Sequence, residues 1–143
     1  MRDIEFRGLN DKNEWCYGTY HYSNDDKHHY ILNKEKFLDR VNTNAKVLHS
    51  TEVHSVLKHT VGQFTGLLDQ NCDKIYEGDI METQTGRVVK VIYQDGMFKM
   101  ILLNNLGFGV SLVTNHLQSV IIGNIYDKAW EEKIKEKVKE AQF

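Results

Sequence analysis

Hydrophobic positions in this chain mostly alternate with polar ones, the period-two signature of half-buried strands. Ile4 and Phe6 alternate with Asp3, Glu5 and Arg7, and Gly8-Leu9-Asn10-Asp11-Lys12-Asn13 supplies turn residues. Trp15, Tyr17 and Thr19 then alternate, with Cys16 and Tyr20 nearby, so the pattern predicts a β-hairpin with a long loop. A polar stretch from Ser23 to Lys27 ends it, and Tyr30-Ile31-Leu32 predicts another short strand. Lys34 to Val41 fits a two-turn helix closed by Asn42-Thr43-Asn44, with Phe37, Leu38 and Val41 at i, i+1 and i+4. Eight residues are marginal for one. From Lys46 to Gly66 the pattern is β again: Val47, Val53, Ser55 and Leu57 fall at odd positions, followed by Val61-Gly62-Gln63-Phe64-Thr65.

Asp69-Gln70-Asn71-Cys72-Asp73 predicts a turn, because Asn tolerates the left-handed conformation and Asp side chains accept nearby backbone amides. Lys74 to Met81 reads as two short strands about a kink, with Gly78 marking a bulge or sharp bend. Arg87 to Tyr93 and Met97 to Leu103 flank Gln94-Asp95-Gly96, where Asp-Gly meets the positive-φ demand of a tight hairpin turn. Val110 to Val113 and Leu117 to Ile122 predict two more strands. Asp127 to Ala141 predicts the one long helix, with Asp127 as N-cap and Trp130, Ile134 and Val138 as a stripe spaced by four. A stripe this thin needs a partner, either the sheet or the same helix of a second subunit. The fold class expected is mainly β, with a small-barrel-like C-terminal half and a C-terminal helix. With no linker in view, residues 1–143 are expected to form one domain: an N-terminal β part over about 1–60, a C-terminal β part over about 61–126, and the helix 127–141.

A length of 143 residues suits a single domain, and 41% apolar with 27% charged residues and a net charge of -2 exclude collagen-like, disordered and polybasic chains. There is no proline, so PxxP ligands and cis-proline turns are excluded and the bends fall to ten glycines, Asn and Asp. The longest strictly apolar run is Met100 to Leu103, far short of a membrane span, and the first residues lack a signal-peptide core. The expectation is a cytosolic chain with no membrane contact, in which Cys16 and Cys72 are free thiols.

The candidate chemistry is thin. Asp69, Asn71 and Asp73 are spaced like the first ligands of a calcium loop, but Lys74 and Ile80 stand where its glycine and bidentate Glu belong. Asp69, Glu77 and Asp79 form a candidate carboxylate set for a divalent ion, set against the reading that acids beside glycine bends bind backbone amides. His49, His54 and His59 are spaced by five, which puts no pair on a common face. Cys16 lies in a strand pattern and Cys72 in a turn, neither with a recognisable base. Tyr17, Tyr20, Tyr22 and Tyr30 with Arg2, Arg7, Lys12 and Lys27 form a candidate stacking surface for single-stranded nucleic acid, weakly supported by the bulk charge.

Three stretches in order resemble the YopX family of small bacteriophage and prophage proteins. They are Ile4-x-Phe6-Arg7-Gly8 with Trp15-x-Tyr17-Gly18; Val61-Gly62-Gln63-Phe64-Thr65-Gly66-Leu67-Leu68-Asp69 continuing to Ile75-Tyr76-Glu77-Gly78-Asp79-Ile80; and Gly123-Asn124-Ile125-Tyr126. The resemblance implies convoluted, coiled β sheets ending in a helix and a phage or prophage origin, and it carries over no catalytic residue or cofactor. The family pattern has glycine where Cys72 stands, which puts the local turn geometry in question. The expectation drawn from all of this is a cytoplasmic, non-enzymatic binding module without cofactor. Its motif positions are structural, and Trp130, Ile134 and Val138 serve self-association or contact with a host or phage protein. The alternatives are a nucleic-acid-binding accessory of phage replication or regulation, and a metal-dependent enzyme using Asp69, Glu77 and Asp79.

Overall fold

The structure, a computed structural model, describes residues 4–33, 52–103 and 109–127 together with Glu132 and Glu136. The fold is mainly β with antiparallel pairing, and the chain divides into two compact units, Met1–Gln63 and Phe64–Phe143. The predicted helix over 34–41 lies outside the described residues. So does that over 127–141 apart from Asp127 and the helical, exposed Glu132 and Glu136.

The first unit holds β1 (Phe6–Leu9), β2 (Trp15–Tyr22), β3 (His29–Leu32), β4 (Val53–Ser55), a 3₁₀ turn (Lys58–Thr60) and the start of β5 (Gly62–Leu68). Its strands lie in the order β4-β3-β2-β1, with the first residues of β5 beyond β1. The β1–β2 hairpin pairs Leu9 with Trp15 and Phe6 with Gly18, so Gly8 and Leu9 belong to the strand rather than to the predicted turn. Leu9 is drawn in because its amide donates to Thr60 Oγ1 at 2.9 Å and its carbonyl accepts from Leu57 N at 2.8 Å. The shorter loop is closed by Asn10 Oδ1, which accepts the amides of Lys12 and Glu14, both at 2.9 Å. The core is Cys16, Ile31 and Val56, flanked by Phe6, Tyr20 and Val61. Val53 and Leu57, expected on one strand face, are exposed, and Val56 is buried instead. β4 stops at Ser55, and the Val56 amide donates to His29 O at 2.9 Å, which turns that side chain inward.

The second unit continues β5 and adds β6 (Lys74–Tyr76), β7 (Asp79–Glu82), β8 (Val88–Gln94), β9 (Met97–Leu102), β10 (Gly109–Ser111), α1 (Leu112–Asn115), a second 3₁₀ turn (His116–Gln118) and β11 (Val120–Asn124). A five-stranded sheet runs in the order β10-β9-β8-β7-β11. Its core is Ile75, Met81, Val89, Val91, Met100 and Leu112, each worth roughly 1.5–3 kcal/mol on full burial. The β8–β9 hairpin turns on Asp95 (φ 55°) and Gly96 (φ 76°), the positive-φ pair that its sequence requires.

Two predicted strands are shorter than their sequence patterns. Val110–Val113 is strand only to Ser111, because Thr114 Oγ1 and Asn115 Nδ2 donate back to Ser111 O at 3.2 and 2.8 Å while fully buried Leu112 enters the core. Leu117–Ile122 becomes strand only at Val120, because His116 Nδ1 donates to Leu68 O at 2.6 Å and holds His116–Gln118 in a 3₁₀ turn. Among the described residues no helix is long and apolar enough to cross a membrane.

Candidate functional site

The singled-out residues of the first unit gather around β1. Arg7 pairs with Tyr17 on one side and with Gly62 on the other, Phe6 pairs with Gly18 and Gln63, and Gly8 with Cys16. A Cβ on Gly8 would lie 3.0 Å from Val56, and one on Gly18 would lie 1.8 Å from the Leu32 carbonyl oxygen. Both glycines are therefore set by close approach of neighbouring chain. Arg7 is buried, with its guanidinium 4.3 Å from the centre of the Trp15 ring, a cation–π contact.

In the second unit the acids carry backbone. Asp69 is 1% exposed, and its Oδ1 accepts the amides of Asn71 and Asp73, both at 2.9 Å. Oδ2 accepts the Ile121 amide at 2.9 Å, fixing β11 to the turn after β5. A carboxylate with three such charge-assisted bonds stabilises the fold by about 1.5–3 kcal/mol for each bond. Asp79, 2% exposed, accepts the Tyr76 amide on Oδ2 at 2.7 Å. Thr65 Oγ1 donates to Ile75 O at 2.8 Å and accepts from Leu67 N at 3.2 Å. This occurs where the β5–β6 register slips, and Gly66 takes φ 83° there. Leu67 packs on the unit's core, and buried Tyr76 tilts against Phe64.

Gly78 (φ 93°) donates to Val91 O at 2.9 Å and accepts from Ile125 N at 3.0 Å, and a Cβ there would meet the Tyr126 ring at 3.1 Å. Glu77 shares this two-residue turn and is half-buried. Asn124 pairs with Asp79 and Gly123 with Ile80, past a bulge that follows Ile121. Two stretches more than forty positions apart in sequence, 77–80 and 123–126, are thus direct neighbours.

Among the described residues no three His, Cys, Asp or Glu side chains gather to hold a metal, and Asp69, Glu77 and Asp79 do not form such a group. The calcium-like spacing at 69–73 is a turn closed on the Asp69 carboxylate itself. Its Cys72 adopts φ 65°, a conformation that favours glycine. His54 lies against Glu52 at 3.3 Å, His28 stacks on Tyr30, and His49 lies outside the described residues. Both cysteines are free. Burial, with a smaller contribution from Glu14, pushes the Cys16 thiol up, away from the nucleophilic thiolate.

The candidate stacking surface is split by strand parity. The β2–β3 register puts Tyr20 opposite Ile31 and Tyr22 opposite His29, on the core face, while Tyr17, His21 and Tyr30 take the other. Arg2 lies outside the described residues, as do Trp130, Ile134 and Val138.

One constellation went unseen in the sequence. His29, 5% exposed, meets the Asp26 carbonyl through Nε2 at 3.0 Å and the Tyr20 hydroxyl through Nδ1 at 2.6 Å. A carbonyl only accepts, so Nε2 carries a proton, and in the neutral ring Tyr20 donates to Nδ1. Asp26 is in turn bound by Lys58. That contact holds the Asp26 carboxyl below the usual range and raises Lys58, while burial first and Asp26 second raise the Tyr20 phenol. These partners are up to 38 positions apart, so only the strand register could reveal them. The chain fastens the 23–28 turn to the 3₁₀ turn.

A family model described as YopX protein matches residues 5–130. No curated protein matches the chain. Among solved structures the chain is similar to protein EF1440 from Enterococcus faecalis. The TM-score is 0.53 at 16% identity, over 90% of this chain and 97% of that one, a likeness of fold.

Proposed function

The chain belongs to the YopX family, and from that premise we propose that it is a non-enzymatic binding module of phage or prophage origin that acts in the host cytoplasm and self-associates. One observation carries the reading: Asp69 and Asp79, the buried acids at the family positions, give carboxylate oxygens to backbone amides. Acids committed in this way hold loops and strand ends together, and the surface is left to recognition. Self-association is assigned to the Trp130, Ile134 and Val138 stripe, which is too thin to hold a helix without a covering partner.

Light scattering on eluted protein tests the assembly. The parent is expected to exceed one chain mass and Trp130→Glu to fall to it with an unchanged circular-dichroism spectrum; a folded variant of unchanged mass contradicts the assignment. Titration calorimetry with magnesium, manganese and zinc tests the absence of metal chemistry, and a stoichiometric heat with any of them overturns it. A second reading, contact with single-stranded nucleic acid, draws on exposed Tyr17 and His21 beside Tyr30 on one sheet face. It predicts a low-salt mobility shift that Tyr17→Ala abolishes, and it falls if single-stranded DNA and RNA both fail to shift.

A further inference from the structure

The second unit contains a cleft of about 190 Å³ whose floor is Val89, Met100, Leu102 and Val110. One lip is the turn between β7 and β8, carrying Thr83, Gln84, Thr85 and Arg87, and the other is α1 with the 3₁₀ turn that follows it, carrying Asn115 and Gln118. The first lip is held rigidly: Thr83 N donates to Arg87 O at 2.8 Å, Gly86 N to Thr83 O at 2.9 Å, and Arg87 N to Thr83 Oγ1 at 3.1 Å. Those bonds use backbone and hydroxyl groups, and they leave the Arg87 guanidinium without a partner among the described residues. Across the cleft, Asn115 Nδ2 donates to Ser111 O and to Thr114 Oγ1, at 2.8 and 2.9 Å, which fixes that carboxamide.

Among the described residues that line the cleft, Arg87 is the only ionised side chain. The site therefore has an apolar floor, hydroxyl and carboxamide walls, and one positive charge at the mouth. A ~150 Å³ apolar cavity accepts a benzene, so this one takes an apolar body of roughly eight non-hydrogen atoms. The planar guanidinium fork matches a carboxylate bidentately, and a single cation balances a single negative charge. We propose that the cleft binds a small organic monocarboxylate, its apolar body on the Val89, Met100, Leu102 and Val110 floor and its carboxylate on Arg87. The assignment rests on the binding-module reading and gives that module a ligand class.

The test is calorimetric titration of the full chain with hexanoate, with hexanol as the neutral probe and hexyl phosphate as the other anion. Hexanoate is expected to bind saturably, hexanol at least ten-fold more weakly and hexyl phosphate no better than hexanoate. Arg87→Gln should lower hexanoate affinity ten-fold or more while leaving hexanol unchanged, and Val110→Trp, filling the floor from a part-exposed strand position, should weaken both. No saturable hexanoate binding, equal binding of hexanol, tighter binding of hexyl phosphate, or an unchanged Arg87→Gln variant overturns the assignment. Light scattering on the same samples separates the two claims, since failed binding by a still multimeric parent removes the cleft ligand and leaves the module.

Discussion

The Asp69 carboxylate accepts the Ile121 backbone amide at 2.9 Å, joining positions 52 apart in the chain. The contact does not stand alone: Gln70 N donates to Ser119 O at 2.9 Å and His116 Nδ1 to Leu68 O at 2.6 Å. These three bonds clasp the turn after β5 to the segment that leads into β11. The turn cannot rearrange without disturbing β11, and β11 is the edge strand whose Gly123 and Asn124 pair with Ile80 and Asp79.

Cys72 stands at φ 65° in that turn. A left-handed L-residue costs roughly 1–2 kcal/mol, and glycine's larger unfolded-state entropy recovers part of the gain from removing it. Cys72→Gly is therefore expected to stabilise the protein by about 0.5–1 kcal/mol in urea unfolding. A clear loss would contradict the conformational argument.

Gly18 (φ 154°) combines positive φ with close approach, whereas Gly66 has positive φ alone. Gly18→Ala would put a Cβ 1.8 Å from the Leu32 carbonyl oxygen, so β2 and β3 must part, and a loss above about 3 kcal/mol or failure to fold is expected. Gly66 at φ 83° has nothing within 4 Å, so Gly66→Ala should cost only the strain, about 1–2 kcal/mol. Equal losses for the two in thermal unfolding would refute the distinction.

The Asp26–Lys58 contact should be visible in acid and base titrations. The Asp26 pKa is depressed, so its contribution is full above the unfolded carboxylate value, near 3.9, and is lost as pH falls through the lower folded value. Lys58 is raised, so its contribution is full below about 10.4 and is lost as pH rises through the higher folded value. Both side chains are well exposed, and the pair is a minor stabiliser. In Lys58→Met the Asp26 carboxyl, followed by NMR, should titrate closer to an ordinary aspartate. An unchanged titration would show that Lys58 does not set it.

Much of the β order was legible because its signals are local. Asp95-Gly96, Gly78 and the acids at 69–73 mark turns through their own conformational needs. Facing was harder to read where neighbouring strands set it. The four tyrosines read as one surface in the sequence, but the β2–β3 register divides them, and Val56 takes the inward place because β4 ends at Ser55. The strand pattern at 110–113 gave way to a helix because side chains of Thr114 and Asn115 reach back to Ser111 O, a contact with no period to detect. Asp69 marks its turn locally, but its bond to Ile121 depends on pairing that a local pattern does not encode.

The unfolding free energy of Asp69→Asn tests most directly the claim that these family positions are structural. The carboxamide is nearly isosteric, but its NH₂ would face donor amides in a buried site. The expected result is a loss of about 3 kcal/mol or more, comparable to removing at least one charge-assisted bond and leaving a buried donor unpaired. A variant within about 0.5 kcal/mol of the parent would contradict the account, because the carboxylate would then be doing no backbone work that neutral Asn cannot do.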